Sequence, residues 1–394
     1  MATDKTVLES DFFGYESLLT DDEADTVLKV RAFMEDKVQP IANQAWMDAE
    51  FPHDLVPGIA DLGIIGIAFP DDDTPAARPL LTGFIGAELA RVDASIATFY
   101  GVHNSLAMGT ISVLGSVEQQ DRYLPAMRRM EKIGAFGLTE PSGGSDVAGG
   151  LTTTARQDGD GWVLNGAKRW IGNATFADHT IIWAKDEADG EVKGFVVDGD
   201  TPGFTATKIE NKISLRTVQN ADIVLEDCRV PAEAKLEHAN SFADTNKVLQ
   251  ETRGGVSWSA VGAQMGAYEL ARAYAVEREQ FGHPIAHFQL IQAHLANMLG
   301  NVTASLGMTV RVAQLQEAGE LTDEQAALAK SFTTTRLRET VAWGRELFGG
   351  NGIVVDHGIA RFFADAEALY SYEGTREINA LIVGRAITGE QAFV

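Results

Sequence analysis

The chain is poor in cysteine, in cations and in long apolar runs, and each shortage closes off a class of protein. One cysteine, Cys228, in 394 residues excludes an internal disulfide and a cysteine-based metal site. It lies in a strand-like run, which marks it as a small core residue. Lys and Arg number 32 against 56 Asp and Glu, a formal charge of −24 that disfavours nucleic acid and anionic membranes as partners. The longest apolar run, Gly63 to Phe69, is far short of the ~20 residues of a membrane helix, so no membrane insertion is expected. Met1 to Phe13 is acidic without an apolar signal core, and Gln391-Ala392-Phe393-Val394 is no peroxisomal address. These absences predict a cytoplasmic protein, or one of a matrix if an address was trimmed. No Gly-x-Gly-x-x-Gly follows a strand and no P-loop occurs, so NAD and ATP are not implied. His283, His287 and His294 lack His-Glu-x-x-His spacing, and Asp158 to Gly161 lacks the spaced ligands of a calcium loop; no metal is expected.

What is present is a core-forming composition, 45% hydrophobic, ordered as helices, strands, then helices. Thr20 and Glu23 form a capping box before a stripe of Val27, Val30, Met34 and Val38, which Pro40 is expected to stop. Trp162–Leu164, Thr180–Trp183, Gly194–Val197 and Asp222–Leu225 read as short strands. Asp158-Gly159-Asp160-Gly161, Asn165-Gly166 and Asp189-Gly190 supply hairpin signals between them. Helical period returns with Val261, Met265 and Tyr268 and with Ile291, Leu295, Met298 and Val302. Thr322 and Gln325 cap a further helix ending near Gly349-Gly350, and a last helix runs from about Arg376 to Gly389. The expectation is an α+β chain: an N-terminal helical domain over 1–134, a middle β-barrel or sandwich over 135–242, and a C-terminal four-helix bundle over 243–394.

Two segments carry chemistry. Tyr372-Glu373-Gly374-Thr375 places a carboxylate on a short turn before the last helix. Phe136 to Pro141 opens the Gly/Ser segment Ser142-Gly143-Gly144-Ser145-Asp146. Together with Lys168-Arg169-Trp170-Ile171, Arg278 to Pro284 and Phe348 to Ile353, they occur in the order and spacing of the acyl-CoA dehydrogenase family, which the chain resembles over nearly its whole length. Within that family it looks closest to glutaryl-CoA dehydrogenases and to plant short-chain acyl-CoA oxidases, the latter through Lys168 to Asp178 and Asp244 to Leu249.

The resemblance implies FAD, an acyl-CoA substrate, an electron-transfer flavoprotein as acceptor, and a homo-oligomer, usually a tetramer. It assigns Glu373 as the base that removes the α-proton, with burial raising its pKa toward that task, and Arg253 as the cation balancing it. Glu251, one position out of register with the base of some branched-chain relatives, is the rival. Leu138, Thr139, Ser145, Trp170, Ile171 and Thr375 would contact FAD. Arg278, Phe281, Gln289, Gly349 and Gly350 match the segment that reaches the FAD of a neighbouring subunit. Ser145, Ala97, Phe99, Tyr100, Gly101, Arg253 and Gly374 would meet the substrate.

Two departures bear on substrate and acceptor. After Arg91-Val92-Asp93, the Arg and Ser that hold a distal carboxylate in glutaryl-CoA enzymes are replaced by Ala97 and Gly101. A buried carboxylate without a cation costs several kcal/mol, so a short, neutral acyl chain is expected, with Phe99 and Tyr100 shaping its pocket. Gly172 stands where most dehydrogenases of the family carry Thr, which deletes a donor and opens space beside the flavin, as in the oxidases. The reading is a short-chain acyl-CoA dehydrogenase. Its alternatives are a short-chain acyl-CoA oxidase making peroxide, a decarboxylating glutaryl-CoA dehydrogenase, and a CoA-binding scaffold without chemistry.

Overall fold

The structure, a computed structural model, describes residues 8–70 and 75–391. The two terminal segments read above for targeting signals therefore fall partly outside the described residues. Among these residues no helix is long and apolar enough to cross a membrane.

The first part is helical: α1 (Asp21–Phe33), α2 (Gln39–Asp48), α3 (Val56–Asp61), α4 (Pro79–Val92), α5 (Ala94–Tyr100), α6 (Gly109–Leu114) and α7 (Val117–Arg128). The Thr20 side chain accepts from the Glu23 amide, and the Glu23 carboxylate accepts from the Thr20 amide, closing the capping box. Val27, Val30, Met34 and Val38 are buried as their spacing predicts. Pro40 does not stop the helix. The chain widens into a π-helical turn over Met34–Val38 and continues as α2 with Pro40 in its first turn.

The middle part is a seven-stranded sheet of β1 (Gly134–Gly137), β2 (Thr154–Asp158), β3 (Gly161–Ile171), β4 (His179–Asp186), β5 (Val192–Asp198), β6 (Phe204–Lys208) and β7 (Ala221–Pro231). Its order is β1-β4-β2-β3-β7-β6, with β5 antiparallel along β4. Asp158 to Gly161 and Asp189-Gly190 make the turns expected of them. Asn165-Gly166 instead lies inside β3, opposite an extra residue of β7: the register passes from Leu164↔Cys228 to Gly166↔Leu225, with Asp227 of β7 at φ 46°. Cys228 is fully buried, and burial pushes its thiol up to about 11.

The last part is α8 (Phe242–Glu277), the short ladder β8 (Glu279–Gln280) and β9 (His283–Pro284), then α9 (Gln289–Glu317), α10 (Asp323–Leu347), α11 (Ile359–Ser371) and α12 (Arg376–Thr388). One hydrophobic core runs through both helical parts and one face of the sheet, and a second lies within the β part. The three parts meet at Asp365 of α11. Its Oδ1 accepts from Trp46 Nε1 at 2.9 Å and from the Leu215 amide at 2.6 Å. Burial, with Asp93 nearby, pushes this carboxyl up to about 7.

Candidate active site

The Glu373 turn is built from consecutive left-handed residues. α11 ends at Ser371; Glu373 then takes φ 55° and Gly374 φ 84°, and the chain re-enters a helix at Arg376. Glycine accepts that conformation freely, whereas a glutamate held there stores roughly 1–3 kcal/mol, which the surroundings must offset. Thr375 caps α12, its Oγ1 accepting from the Ile378 amide at 3.2 Å. Thr252 of α8 donates its hydroxyl to Glu373 Oε2 at 3.2 Å. Glu373 itself is half-buried, between solvent and core. Next to it, burial raises the Tyr372 phenol strongly, with Thr98 of α5 beside this side chain. The side chains of Arg253 and Glu251, the expected counter-charge and the rival base, lie outside the described residues.

The second wall comes from β1 and β3. Leu138 and Thr139 follow β1, and Trp170 and Ile171 end β3. A register shift between Lys168 and Ile171 turns the backbone out of the sheet, and Trp170 stands at φ 67° with about half its surface (52%) exposed. An exposed indole on a strained strand end is a surface made for covering. The Arg169 guanidinium lies 5.1 Å over its ring. Ser145 is exposed on the Gly-rich turn, and a Cβ built on Gly143 meets nothing within 4 Å.

A buried ion pair pins the two strands together. Lys168 Nζ donates to Glu140 Oε1 at 2.8 Å and to the Leu138 carbonyl at 3.2 Å. Glu140 also accepts from the Thr152 amide (2.7 Å), the Thr152 hydroxyl (2.6 Å) and the Thr153 amide (2.9 Å). Burial alone would push the Glu140 carboxyl up; the hydrogen bonds from Lys168, Thr152 and Thr153 outweigh it and hold the group at about 2. Burial also draws the Lys168 ammonium down to about 8, so at neutral pH both partners stay charged. The Arg169 amide donates to the Thr139 carbonyl at 2.8 Å, completing the attachment.

Between the two walls runs the segment from Ala97 to Val102. Asp93 caps α5, accepting from the Ser95 and Ile96 amides, and is itself paired with Arg361 at 2.9 Å. Ala97 is buried, and a Cβ built on Gly101 meets nothing within 4 Å. Phe99 and Tyr100 are committed to packing. Phe99 is fully buried with its ring 4.4 Å from that of Phe51, and the Tyr100 hydroxyl donates to the Ile64 carbonyl at 3.1 Å. At Gly172 the space is not open: a Cβ there would sit 3.2 Å from Val102 Cγ2 and 3.8 Å from Val218 Cγ1.

Arg278, Gly349 and Gly350 share a separate cleft of about 300 Å³, lined also by Tyr274, Phe348 and Asn351. Phe281 and Gln289 lie outside its lining; Phe281 is 90% exposed at φ 54°. Among the described residues no group of three His, Cys, Asp or Glu is placed to hold a metal ion, and the rings of His283 and His287 stack on each other at 4.5 Å.

These features fit FAD. The indole of Trp170 offers an uncovered face for a planar ring, the Gly143-Gly144 turn leaves room for a ligand against the backbone, and Arg278 brings a cation to a cleft able to take a phosphate. The sequence reading missed Thr98, Val102, Thr252, the Glu140–Lys168 pair and Lys330. For Lys330 a signal existed: it stands at helical spacing from the buried Ala326, Ala327 and Leu337, a cation on an apolar stripe.

The chain matches the family models "Acyl-CoA dehydrogenase, N-terminal domain" over residues 20–131, "middle domain" over 135–228 and "C-terminal domain" over 242–388. It is 35% identical to a 3-(aryl)acrylate reductase of Clostridium sporogenes over 90% of this chain and 95% of that one. It is 34% identical to the mitochondrial short-chain specific acyl-CoA dehydrogenase of Mus musculus, over 90% and 87%. A glutaryl-CoA dehydrogenase from Mycobacterium smegmatis in complex with FADH2 superposes with a TM-score of 0.94 at 34% identity, covering 98% of this chain and all (100%) of that one. The chain therefore belongs to the acyl-CoA dehydrogenases, FAD-dependent oxidoreductases that act on the CH–CH bond of acyl-CoA thioesters.

Proposed function

We propose that this protein dehydrogenates short, neutral acyl-CoA thioesters to 2-enoyl-CoA, with Glu373 as the base. The observation that carries this reading is the seating of one helical segment between two walls. Thr98 lies beside Tyr372, next to Glu373, and four residues further along Val102 lies against Gly172, just past the end of the Trp170 strand. An acyl chain lying along this segment has a carboxylate on one side and the Trp170 wall on the other. Glu373 takes the α-proton, while Thr252, which donates to its Oε2, holds the carboxylate in one orientation. FAD, when bound, accepts the hydride from the β-carbon. Leu138, Thr139, Ser145, Trp170, Ile171 and Thr375 would hold it, and Arg278, Phe281, Gln289, Gly349 and Gly350 would serve the FAD of a neighbouring subunit. The outward-facing Phe281 supports a homo-oligomer, a tetramer by the family pattern.

Ala97 and Gly101 favour a neutral acyl end, since neither supplies the cation that a distal carboxylate requires. A Cβ at 101 meets nothing within 4 Å, so a Ser fits there without collision. The double substitution Ala97→Arg with Gly101→Ser is expected to raise kcat/KM for glutaryl-CoA ~tenfold or more, about 1.4 kcal/mol of recovered charge pairing. No gain in a side-by-side assay would place the carboxylate selectivity elsewhere.

The acceptor we propose is an electron-transfer flavoprotein. Val102 and Val218 fill the space that Gly172 would otherwise open, which supports exclusion of oxygen from the reduced site. The test is an anaerobic titration with butyryl-CoA, followed by admission of air. Flavin bleaching with slow recolouring is expected. No bleaching would reject the short neutral substrate, and fast recolouring with peroxide would establish the oxidase.

A further inference from the structure

Lys330 is the largest charged side chain of α10 that is wholly enclosed, with 0% of its surface exposed. Its helix face is otherwise small and uncharged: Ala326, Ala327, Thr333, Thr334 and Leu337 are all buried. A cation in such a place persists only where strong acceptors meet it. Two of those acceptors are main-chain carbonyls on either side of Glu373. Lys330 Nζ donates to the Tyr370 carbonyl at 3.1 Å and to the Gly374 carbonyl at 2.5 Å. The Tyr370 carbonyl belongs to the last turn of α11, where carbonyls lack intrahelical partners and the helix dipole favours positive charge. The Gly374 carbonyl closes the peptide that follows the base.

One ammonium thus clamps the strained turn from both ends. The second clamp is Asn379, buried in α12, whose Nδ2 donates to the Gly374 and Thr375 carbonyls at 2.9 and 3.0 Å. Asn379 ties the turn only to the helix that follows it. Lys330 ties it to α10, across the core, and so fixes where the turn stands relative to the rest of the site. A glutamate at φ 55° keeps that conformation only while its surroundings over-determine it.

We propose that Lys330 is a positioning residue for the reaction: through the Tyr370 and Gly374 carbonyls it holds the left-handed turn that aims the Glu373 carboxylate at the α-carbon of the substrate. This rests on the reading of Glu373 as the base. Loss of the clamp lets the turn relax, and a carboxylate displaced by about 1 Å loses ~hundredfold in rate while the bound ligand loses little.

The test compares wild type, Lys330→Met, Lys330→Gln and Glu373→Gln as FAD-loaded proteins. The probe is 3-thiabutyryl-CoA, whose thioether sulfur replaces the β-carbon and leaves no hydride to transfer. Removal of its α-proton leaves an anion beside the oxidised flavin, seen as a long-wavelength charge-transfer band. Flavin bleaching by butyryl-CoA, the Kd of the probe and FAD content are measured in parallel. In Lys330→Met the band and the bleaching rate are expected to fall ~hundredfold with Kd within ~threefold of wild type. Lys330→Gln keeps an N–H donor and is expected to recover ~tenfold of that loss. A band and bleaching rate near wild type in Lys330→Met, with the band absent in Glu373→Gln, would overturn the role of Lys330 alone. A band retained in Glu373→Gln would overturn the base reading itself. Loss of FAD from both Lys330 variants would make the residue one of folding and also overturn the proposal.

Discussion

Glu373→Gln is expected to retain FAD and acyl-CoA binding and to lose turnover by ~10⁴-fold or more. The amide is nearly isosteric with the carboxylate and still accepts from Thr252, so the turn and its clamp to α8 survive. What it lacks is a basic oxygen. The α-proton of a thioester then has no acceptor in reach, and the loss falls on the chemical step, so kcat drops while the dissociation constant stays in place. Stopped-flow bleaching with FAD content in parallel makes the measurement. Near-normal bleaching would move the base elsewhere, and Glu251 would be the first residue to replace next. Thr252→Val is the graded companion: it removes one hydrogen bond to the carboxylate and costs about 1.5 kcal/mol of orientation, roughly tenfold in rate.

Lys168→Met is expected to cause the largest loss of stability of any substitution discussed here, about 3–5 kcal/mol, because it leaves the Glu140 carboxylate buried without its cation. The pH dependence gives the sign of the effect. In the native protein the Glu140 carboxyl sits at about 2, below its ordinary 4.5, so its contribution is complete above pH 4.5 and is lost as the pH falls toward 2. In Lys168→Met the carboxyl keeps the Thr152 and Thr153 hydrogen bonds but loses the cation, so it titrates above its native position and less of this contribution remains to be lost. Between pH 4.5 and 2 the variant is therefore expected to lose less stability than the native protein loses at this group. Melting temperature against pH, with flavin release as the second signal, tests this. Parallel curves for the two proteins would reject the ion pair as the support of the Leu138–Thr139 and Trp170 wall. Glu140→Leu added to Lys168→Met should recover part of the loss, since an apolar pair of similar volume leaves no unpaired charge.

The fold was largely legible before any coordinates. Capping boxes at Thr20 and Thr322, apolar period along the helices, and alternation between Gly-containing turns are local signals, and local structure obeys them. Two local signals were overruled. Pro40 lies in the first turn of a resumed helix, because a π-helical turn before it absorbs the break. Asn165-Gly166 stays within β3, because β7 takes up an extra residue opposite it and the pairing continues. Both depend on neighbours far away in sequence, which local propensity does not contain.

The site divides in the same way. Glu373, Trp170, Arg278 and Gly349-Gly350 stood out in the sequence because each lies in a segment that resembles the acyl-CoA dehydrogenase family in order and spacing. Phe99 and Tyr100 show the limit of that reading: adjacent positions on a helix point in different directions, and these two rings are engaged by Phe51 and by the Ile64 carbonyl. Gly172 shows it again. Its missing side chain suggested an opening, but only the packed chain puts Val102 and Val218 against it.

By itself the sequence determined the order of helices and strands and the family to which the chain belongs, and it supplied the carboxylate that we propose as the base. The tertiary structure decided what surrounds that carboxylate: Thr252 from α8, Lys330 from α10, Asn379 from α12 and, through Tyr372, Thr98 from α5. The reason is physical. A residue's chemistry is a property of its type and can be read from one letter, whereas its position, burial and protonation are set by groups that the chain brings near only by folding.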